Sequence, residues 1–197
     1  MKIHTTALVT LIGGALVLST ATLSSAALTS STSQSAQSAS RQSATRSHQA
    51  HVTLTPSSAA LATCFPKAKA KVTVDLTTDA KGKDTFSIAA SGLKPRTDFT
   101  VFLLQQAGAP FGAAEYIGDF TTDRNGRGAN TFSLIVEEAF AFNNATGART
   151  DLNSIGFWFA DPKDDDGCLG AKSPVTGFDG DGEAGVQMMN SGTTLLP

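Results

Sequence analysis

Residues 85–104, T-F-S-I-A-A-S-G-L-K-P-R-T-D-F-T-V-F-L-L, contain the pattern that decides the fold. Phe86, Ile88 and Ala90 alternate with polar or small residues, which is the period of a strand with one buried face. Pro95 has a fixed φ angle and donates no backbone hydrogen bond, so it indicates a corner between strands. Residues 100–104 form an apolar run that predicts a central, well-covered strand. The stretch therefore predicts a strand, a corner and a second strand.

The corner string G-L-K-P-R-T-D-F-T-V, residues 92–101, resembles the corner between the fifth and sixth strands of fibronectin type III domains. It is also similar to a corner of uncharacterised secreted bacterial β-sandwich proteins. In the fibronectin pattern a tyrosine usually occupies the aromatic position, and its hydroxyl bonds back to the backbone. This chain has Phe99 there, so only the packing role carries over. The resemblance implies a sandwich and covers about ten residues.

Alternating or apolar runs elsewhere predict further strands, which bring the total to about seven. That number is typical of an immunoglobulin-like antiparallel β-sandwich, so the predicted fold class is all-β. Residues 137–142 predict one helical turn, and residues 143–154 and 161–184 predict loops. The predicted strands are residues 67–76, 85–90, 100–104, 115–121, 131–136, 155–160 and 185–190.

The first 59 residues predict two segments that precede this domain. Residues 1–26 combine an early lysine, an apolar run and a small-residue site at Ser24-Ser25-Ala26, the pattern of a secretory signal peptide. The run is too short to span a bilayer, so no membrane association is expected after cleavage. Residues 27–59 are rich in Ser, Thr, Gln and Ala without an apolar period, which predicts a disordered leader. The β-sandwich domain is then residues 60–197 of a secreted protein.

The two cysteines, Cys64 and Cys168, lie near opposite ends of the predicted domain. Because an exported protein meets an oxidising environment, they predict a disulfide. That bond would bring the first predicted strand next to the acidic C-terminal part of the chain.

Charge is distributed unevenly along the chain. Residues 60–197 carry seventeen acidic and twelve basic residues, and eight of the acids but only two lysines follow residue 150. A nucleic-acid partner calls for a basic face, so this balance disfavours it. Lys67, Lys69 and Lys71 share one face of a predicted strand. We interpret them as the solvated face of an edge strand, where lysine discourages aberrant pairing.

Histidine is absent from residue 52 onward, which excludes Ser-His-Asp and Cys-His catalysis and the histidine-bearing metal sites. His48 and His51 fall in the predicted leader and are expected to be solvated rather than to ligate a metal. Matches to S-x-x-K at residue 91 and to G-x-G-x-x-G at residue 180 lack the partner motifs and the helix that those chemistries need. No catalytic residue is predicted.

Carboxylates are the remaining candidates for a site. Hard oxygen ligands on a glycine-rich loop are the groups that Ca²⁺ takes, although the spacing fails the EF-hand template. An irregular calcium site is one prediction and a solvated acidic loop is the alternative. The candidate ligands are Asp161, Asp164, Asp165, Asp166, Asp179, Asp181 and Glu183.

The functional expectation is a secreted, non-enzymatic binding or structural domain with an extracellular or cell-surface partner. Its working surface is predicted to be the acidic segment beside Trp158, with Tyr116 as a second aromatic contact. The alternative is a carboxylate-based glycoside hydrolase or other polymer hydrolase. A hydrolase needs two carboxyl groups facing each other across a cleft, about 5–9.5 Å apart.

Overall fold

The computed structural model of the protein describes residues 48–196. The predicted signal peptide and the predicted leader up to residue 47 lie outside the described residues. Among the helices of the described part, none is long and apolar enough to cross a membrane.

The described part of the chain is built mainly from ten strands, with three short helices and one 3₁₀ turn. The strands are β1 Gln49–Pro56, β2 Lys69–Asp75, β3 Asp84–Ser91, β4 Asp98–Leu104, β5 Ala114–Thr121, β6 Gly128–Leu134, β7 Phe140–Asn143, β8 Ala148–Asp151, β9 Ser154–Phe159 and β10 Gln187–Asn190. The helices are α1 Ala59–Cys64, α2 Thr78–Lys81 and α3 Asp166–Leu169, and the 3₁₀ turn is Pro162–Asp164.

The strands form two antiparallel layers that share β1. Sheet A has the order β1-β2-β3-β6, and sheet B has the order β5-β4-β9-β10. Residues 49–54 of β1 pair with β2, whereas Thr55 and Pro56 pair with β10. β7 and β8 form a separate hairpin. The predicted all-β, sandwich-like fold class is confirmed.

The central stretch of the sequence supplies the core, as its period predicts. Phe86 and Ile88 on β3 and Phe99 on β4 are buried between the layers. Phe99 stacks on Phe120 with ring centroids 5.2 Å apart and contacts Phe157 edge-on at 5.4 Å. The corner between β3 and β4 carries the chain from sheet A to sheet B. These aromatic contacts pack β4, β5 and β9 of sheet B together, and the same core also contains Phe86 and Ile88 of sheet A.

The seven predicted strands are all present, as β2, β3, β4, β5, β6, β9 and β10, with ends that differ by a few residues. The start of the domain at residue 60 is too late, because β1 lies within the predicted leader. Val52 and Leu54 of β1 are buried in the core. The helical turn predicted at 137–142 and the loop at 143–154 are wrong where β7 and β8 form.

Cys64 and Cys168 form the predicted disulfide, with a Cα–Cα distance of 5.8 Å. The bond ties the end of α1 to α3 and so joins the start of the domain to the acidic part of the chain. A disulfide of this kind indicates an oxidising environment.

Candidate functional site

The outer face of sheet B carries a second hydrophobic cluster, separate from the core between the layers. Trp158 of β9 and Phe102 of β4 belong to it, with ring centroids 5.5 Å apart. Phe178 stacks on Trp158 at 4.0 Å with an interplanar angle of 4°. Phe111 contacts Trp158 edge-on from the loop that follows β4. An aromatic layer therefore covers a sheet face that would otherwise be open to water.

Phe178 belongs to residues 161–186, which we call the acidic segment. Thr100 of β4 donates a hydrogen bond of 2.5 Å to the carbonyl of Phe178. Thr176 and Ala184 pair across the loop as an isolated antiparallel bridge. Trp158 is fully buried beneath this cover. The prediction that Trp158 lies on the working surface is therefore wrong: the tryptophan anchors the acidic segment instead.

Four of the predicted calcium ligands accept hydrogen bonds, and three of these lie in the first part of the acidic segment. Asp161 accepts a hydrogen bond of 2.8 Å from the backbone N–H of Lys163, which caps the 3₁₀ turn. Asp164 forms an ion pair of 2.7 Å with Lys94. Asp165 is completely buried and accepts hydrogen bonds from the Val186 backbone at 2.8 Å and from the Ser173 hydroxyl.

The four other predicted ligands are distributed along the segment. Asp166 lies half-buried in the first turn of α3, and Asp181 and Glu183 are exposed. Asp179 is half-buried and accepts a hydrogen bond of 2.8 Å from the backbone N–H of Gly180. Within residues 48–196, no group of three or more His, Cys, Asp or Glu side chains is arranged to hold a metal ion. The carboxylates of the acidic segment thus divide between fold-stabilising and surface positions.

Replacing Asp165 with Asn is expected to lower the free energy of unfolding by about 2–3 kcal/mol, because a buried charge-assisted acceptor is lost. The loss should be equal in EDTA and in calcium, since the partners of this carboxylate are protein donors. Denaturant unfolding measures both values, with Asp166→Asn as the matched control. A calcium-dependent loss confined to Asp165→Asn would contradict this role.

Tyr116 is the aromatic side chain of sheet B that does reach the surface, with 43% of its area exposed. Its hydroxyl donates a hydrogen bond of 2.8 Å to Asp119. The ring contacts Phe102, and Gly180 of the acidic segment lies directly against its face. We call Tyr116, Asp119, Asp179 and Asp181 the Tyr116 surface.

The acids of the Tyr116 surface affect the ionisation of the phenol. Burial of the ring, the hydrogen bond to Asp119 and the charges of Asp119, Asp179 and Asp181 raise the pKa of Tyr116 to about 12. The phenol is therefore protonated at neutral pH and keeps its proton on the bond to Asp119. The result is an anionic surface with an aromatic centre.

The sequence predicts Tyr116, Asp179 and Asp181 as site residues, but it does not predict that they share one surface. Asp119 was missed, although it follows Tyr116 by three residues within one predicted strand. Phe178 was also missed, because its contact with Trp158 joins residues on different elements and leaves no local period in the sequence.

Comparison of the chain with known protein families, with curated proteins and with solved structures finds no significant match. The likeness of residues 92–101 to sandwich corners therefore stays a local resemblance. The function has to be argued from the geometry of the sites themselves.

Proposed function

We propose that this protein is an exported, non-enzymatic binding domain whose Tyr116 surface binds a cationic segment of a protein partner. The observation that carries the proposal is a partly exposed phenol that donates a hydrogen bond of 2.8 Å to Asp119 and lies against Gly180, the residue between Asp179 and Asp181. The disulfide and the predicted signal peptide support an extracellular location.

The Tyr116 surface is preorganised in the free protein. Phe178 stacks on buried Trp158, and its carbonyl is bonded to Thr100. The next residue along the chain is Asp179, so the aromatic anchor sets where this carboxylate lies. A preorganised surface loses little conformational entropy on binding, which favours affinity.

The chemistry of the surface matches lysine and arginine side chains. Carboxylates accept charge-assisted hydrogen bonds from ammonium and guanidinium groups, and a tyrosine ring attracts a cation over its face. Tyrosine is also enriched at protein interfaces, because one end is apolar and the other is wet.

The alternative function, a carboxylate-pair hydrolase, needs a cleft that acids line on both sides. Four clefts of the described residues have volumes from about 280 to about 580 Å³. Asp and Glu do not line any of these four. A hydrolase would place two such residues across a cleft from each other.

Replacing Asp181 with Lys is expected to weaken binding of a lysine-rich peptide about three- to tenfold, the effect of removing and reversing one exposed charge. Fluorescence anisotropy of the labelled peptide at low salt measures this. Asp79→Lys makes the same charge change at an exposed position of α2 and should leave the affinity nearly unchanged.

Tyr116→Phe supplies a second comparison, since it keeps the ring and removes the hydroxyl that bonds Asp119. Equal losses from Asp181→Lys and Asp79→Lys would show that only net charge matters, and the proposal would fail. No peptide binding by the unmodified protein at low salt would also refute it.

A further inference from the structure

Lys69 and Lys71 lie on the outer face of sheet A, and Lys67 lies in the turn just before β2. Lys67, Lys69 and Lys71 are exposed, and the sequence assigns them to an edge strand. In the structure β2 is hydrogen-bonded to β1 on one side and to β3 on the other. Protection of an edge therefore does not account for these lysines.

Two adjoining clefts run past these lysines. The first has a volume of about 580 Å³ and is lined in part by Lys67, Lys69, Asn125 and Arg127. The second has a volume of about 460 Å³, and Lys69, Lys71 and Thr53 belong to its lining. Both clefts include Lys69 and Ser91 in their lining, so they adjoin, and we call the two together the basic groove.

Close backbone contacts bring distant parts of the chain together at the basic groove. Gly92 lies so close to the carbonyl of Lys67 that a Cβ atom at this position would overlap it. The turn that follows β5 docks on the same corner through a hydrogen bond of 3.1 Å from the Leu93 N–H to the Gly126 carbonyl. Lys67 and Arg127 consequently line one cleft although sixty residues separate them.

The charge of the basic groove is not cancelled by acids in its lining. Lys67, Lys69, Lys71 and Arg127 line it, and neither cleft includes Asp or Glu. The nearby carboxylate of Asp123 accepts hydrogen bonds from the backbone N–H groups of Asn125 at 2.7 Å and Arg127 at 3.0 Å. That carboxylate holds the turn that positions Arg127.

We propose that the basic groove binds a linear anionic polysaccharide, a ligand outside the function proposed for the Tyr116 surface. Four cationic side chains along two adjoining clefts suit a polymer with repeated carboxylate or sulfate groups. Asn125, Ser91 and Thr53 in the lining can hydrogen-bond sugar hydroxyls. No aromatic residue lines either cleft, so the stacking platform that single-stranded nucleic acids use is missing there.

The groove and the Tyr116 surface lie on opposite faces of the sandwich. Lys69 and Lys71 are on the outer face of sheet A, whereas Tyr116 packs on the aromatic layer outside sheet B. The domain can therefore hold an anionic polymer on one face while the other remains available. The two sites are independent, and a variant of one should leave the other intact.

Binding isotherms with heparin, polygalacturonate and single-stranded DNA test the proposal on the full domain. Lys69→Glu is expected to weaken glycan binding at low salt about three- to tenfold, and Arg127→Glu by a similar factor. Lys83→Glu is the matched control, because Lys83 is exposed and lies outside both clefts. The two glycans distinguish sulfate from carboxylate recognition.

Each result decides for or against the groove. The proposal is supported if glycan binding is weaker in Lys69→Glu and Arg127→Glu but not in Lys83→Glu. Binding of the lysine-rich peptide should be unchanged in these variants. The proposal is overturned if all three variants lose glycan affinity equally or if the unmodified protein binds neither glycan. Tighter binding of the DNA than of both glycans also overturns it. Thermal unfolding of each variant, with Lys69→Gln as a milder replacement, shows that lost binding is not lost fold.

Discussion

Replacing Asp84 with Asn is expected to lower the free energy of unfolding by about 3–5 kcal/mol, because this one buried carboxylate accepts hydrogen bonds from four backbone N–H groups. One oxygen accepts from Thr77 at 2.7 Å and Thr78 at 2.9 Å, and the other from Val136 at 2.9 Å and Glu137 at 3.2 Å. These bonds join the start of α2 to the turn after β6. An asparagine at this position would direct its NH₂ group toward backbone N–H groups, which are donors themselves and cannot accept a hydrogen bond from it.

The same site predicts how stability depends on pH. Burial acts to raise the pKa of Asp84, but the hydrogen bonds outweigh it, and the pKa lies below its ordinary value. A carboxyl with a lowered pKa stabilises the folded state above its unfolded pKa. That contribution disappears as the pH falls through the folded pKa. Asp84→Asn should therefore be less stable at neutral pH and lose less stability on acidification.

Urea unfolding at a series of pH values measures both effects. Asp79→Asn is the matched control, since Asp79 is exposed in the first turn of the same short helix. A small change in stability at neutral pH, similar to that of Asp79→Asn, would contradict the structural role of Asp84.

Removal of the disulfide, as the double variant Cys64→Ser and Cys168→Ser, is expected to cost about 4–5 kcal/mol. The bond closes a sequence separation of 104 residues, so it restricts the unfolded chain strongly. It also holds α3 against α1 at the start of the acidic segment. The double variant should therefore loosen the cover over sheet B as well as destabilise the domain.

The test is to measure the free energy of unfolding of the oxidised protein, the reduced protein and the double variant. The reduced protein and the double variant should agree with each other and fall below the oxidised form. Equal stability of all three would mean that the disulfide contributes nothing to the folded state.

The sequence predicts most of the framework because strand periodicity and turn residues are local signals. The alternation of Phe86 and Ile88 and the corner at Pro95 predict where the chain crosses between layers. The cysteine pair follows from composition and compartment. β1 is missed because only Val52 and Leu54 mark it within a polar, low-complexity stretch. β7 and β8 are missed because each has four residues.

The candidate sites are harder to predict, because they depend on contacts between distant residues. The contact of Phe178 with Trp158 leaves no signature in the local sequence of either residue. The same is true of Arg127 and Lys67, which line one cleft. Asp84 shows the same limit, because its four donors lie on two turns about sixty residues apart in the chain. Composition reveals that acids and lysines are present, but only the topology places them on opposite faces.

Fluorescence of Trp158, the single tryptophan, tests most directly whether the acidic segment is a fixed cover that presents the Tyr116 surface. Trp158 is fully buried, and its indole N–H has no hydrogen-bond partner among the described residues. The native protein should emit at short wavelength and resist quenching by acrylamide, and Phe178→Ala should shift the emission to the red. Solvent-like emission and ready quenching in a natively folded protein would contradict the account.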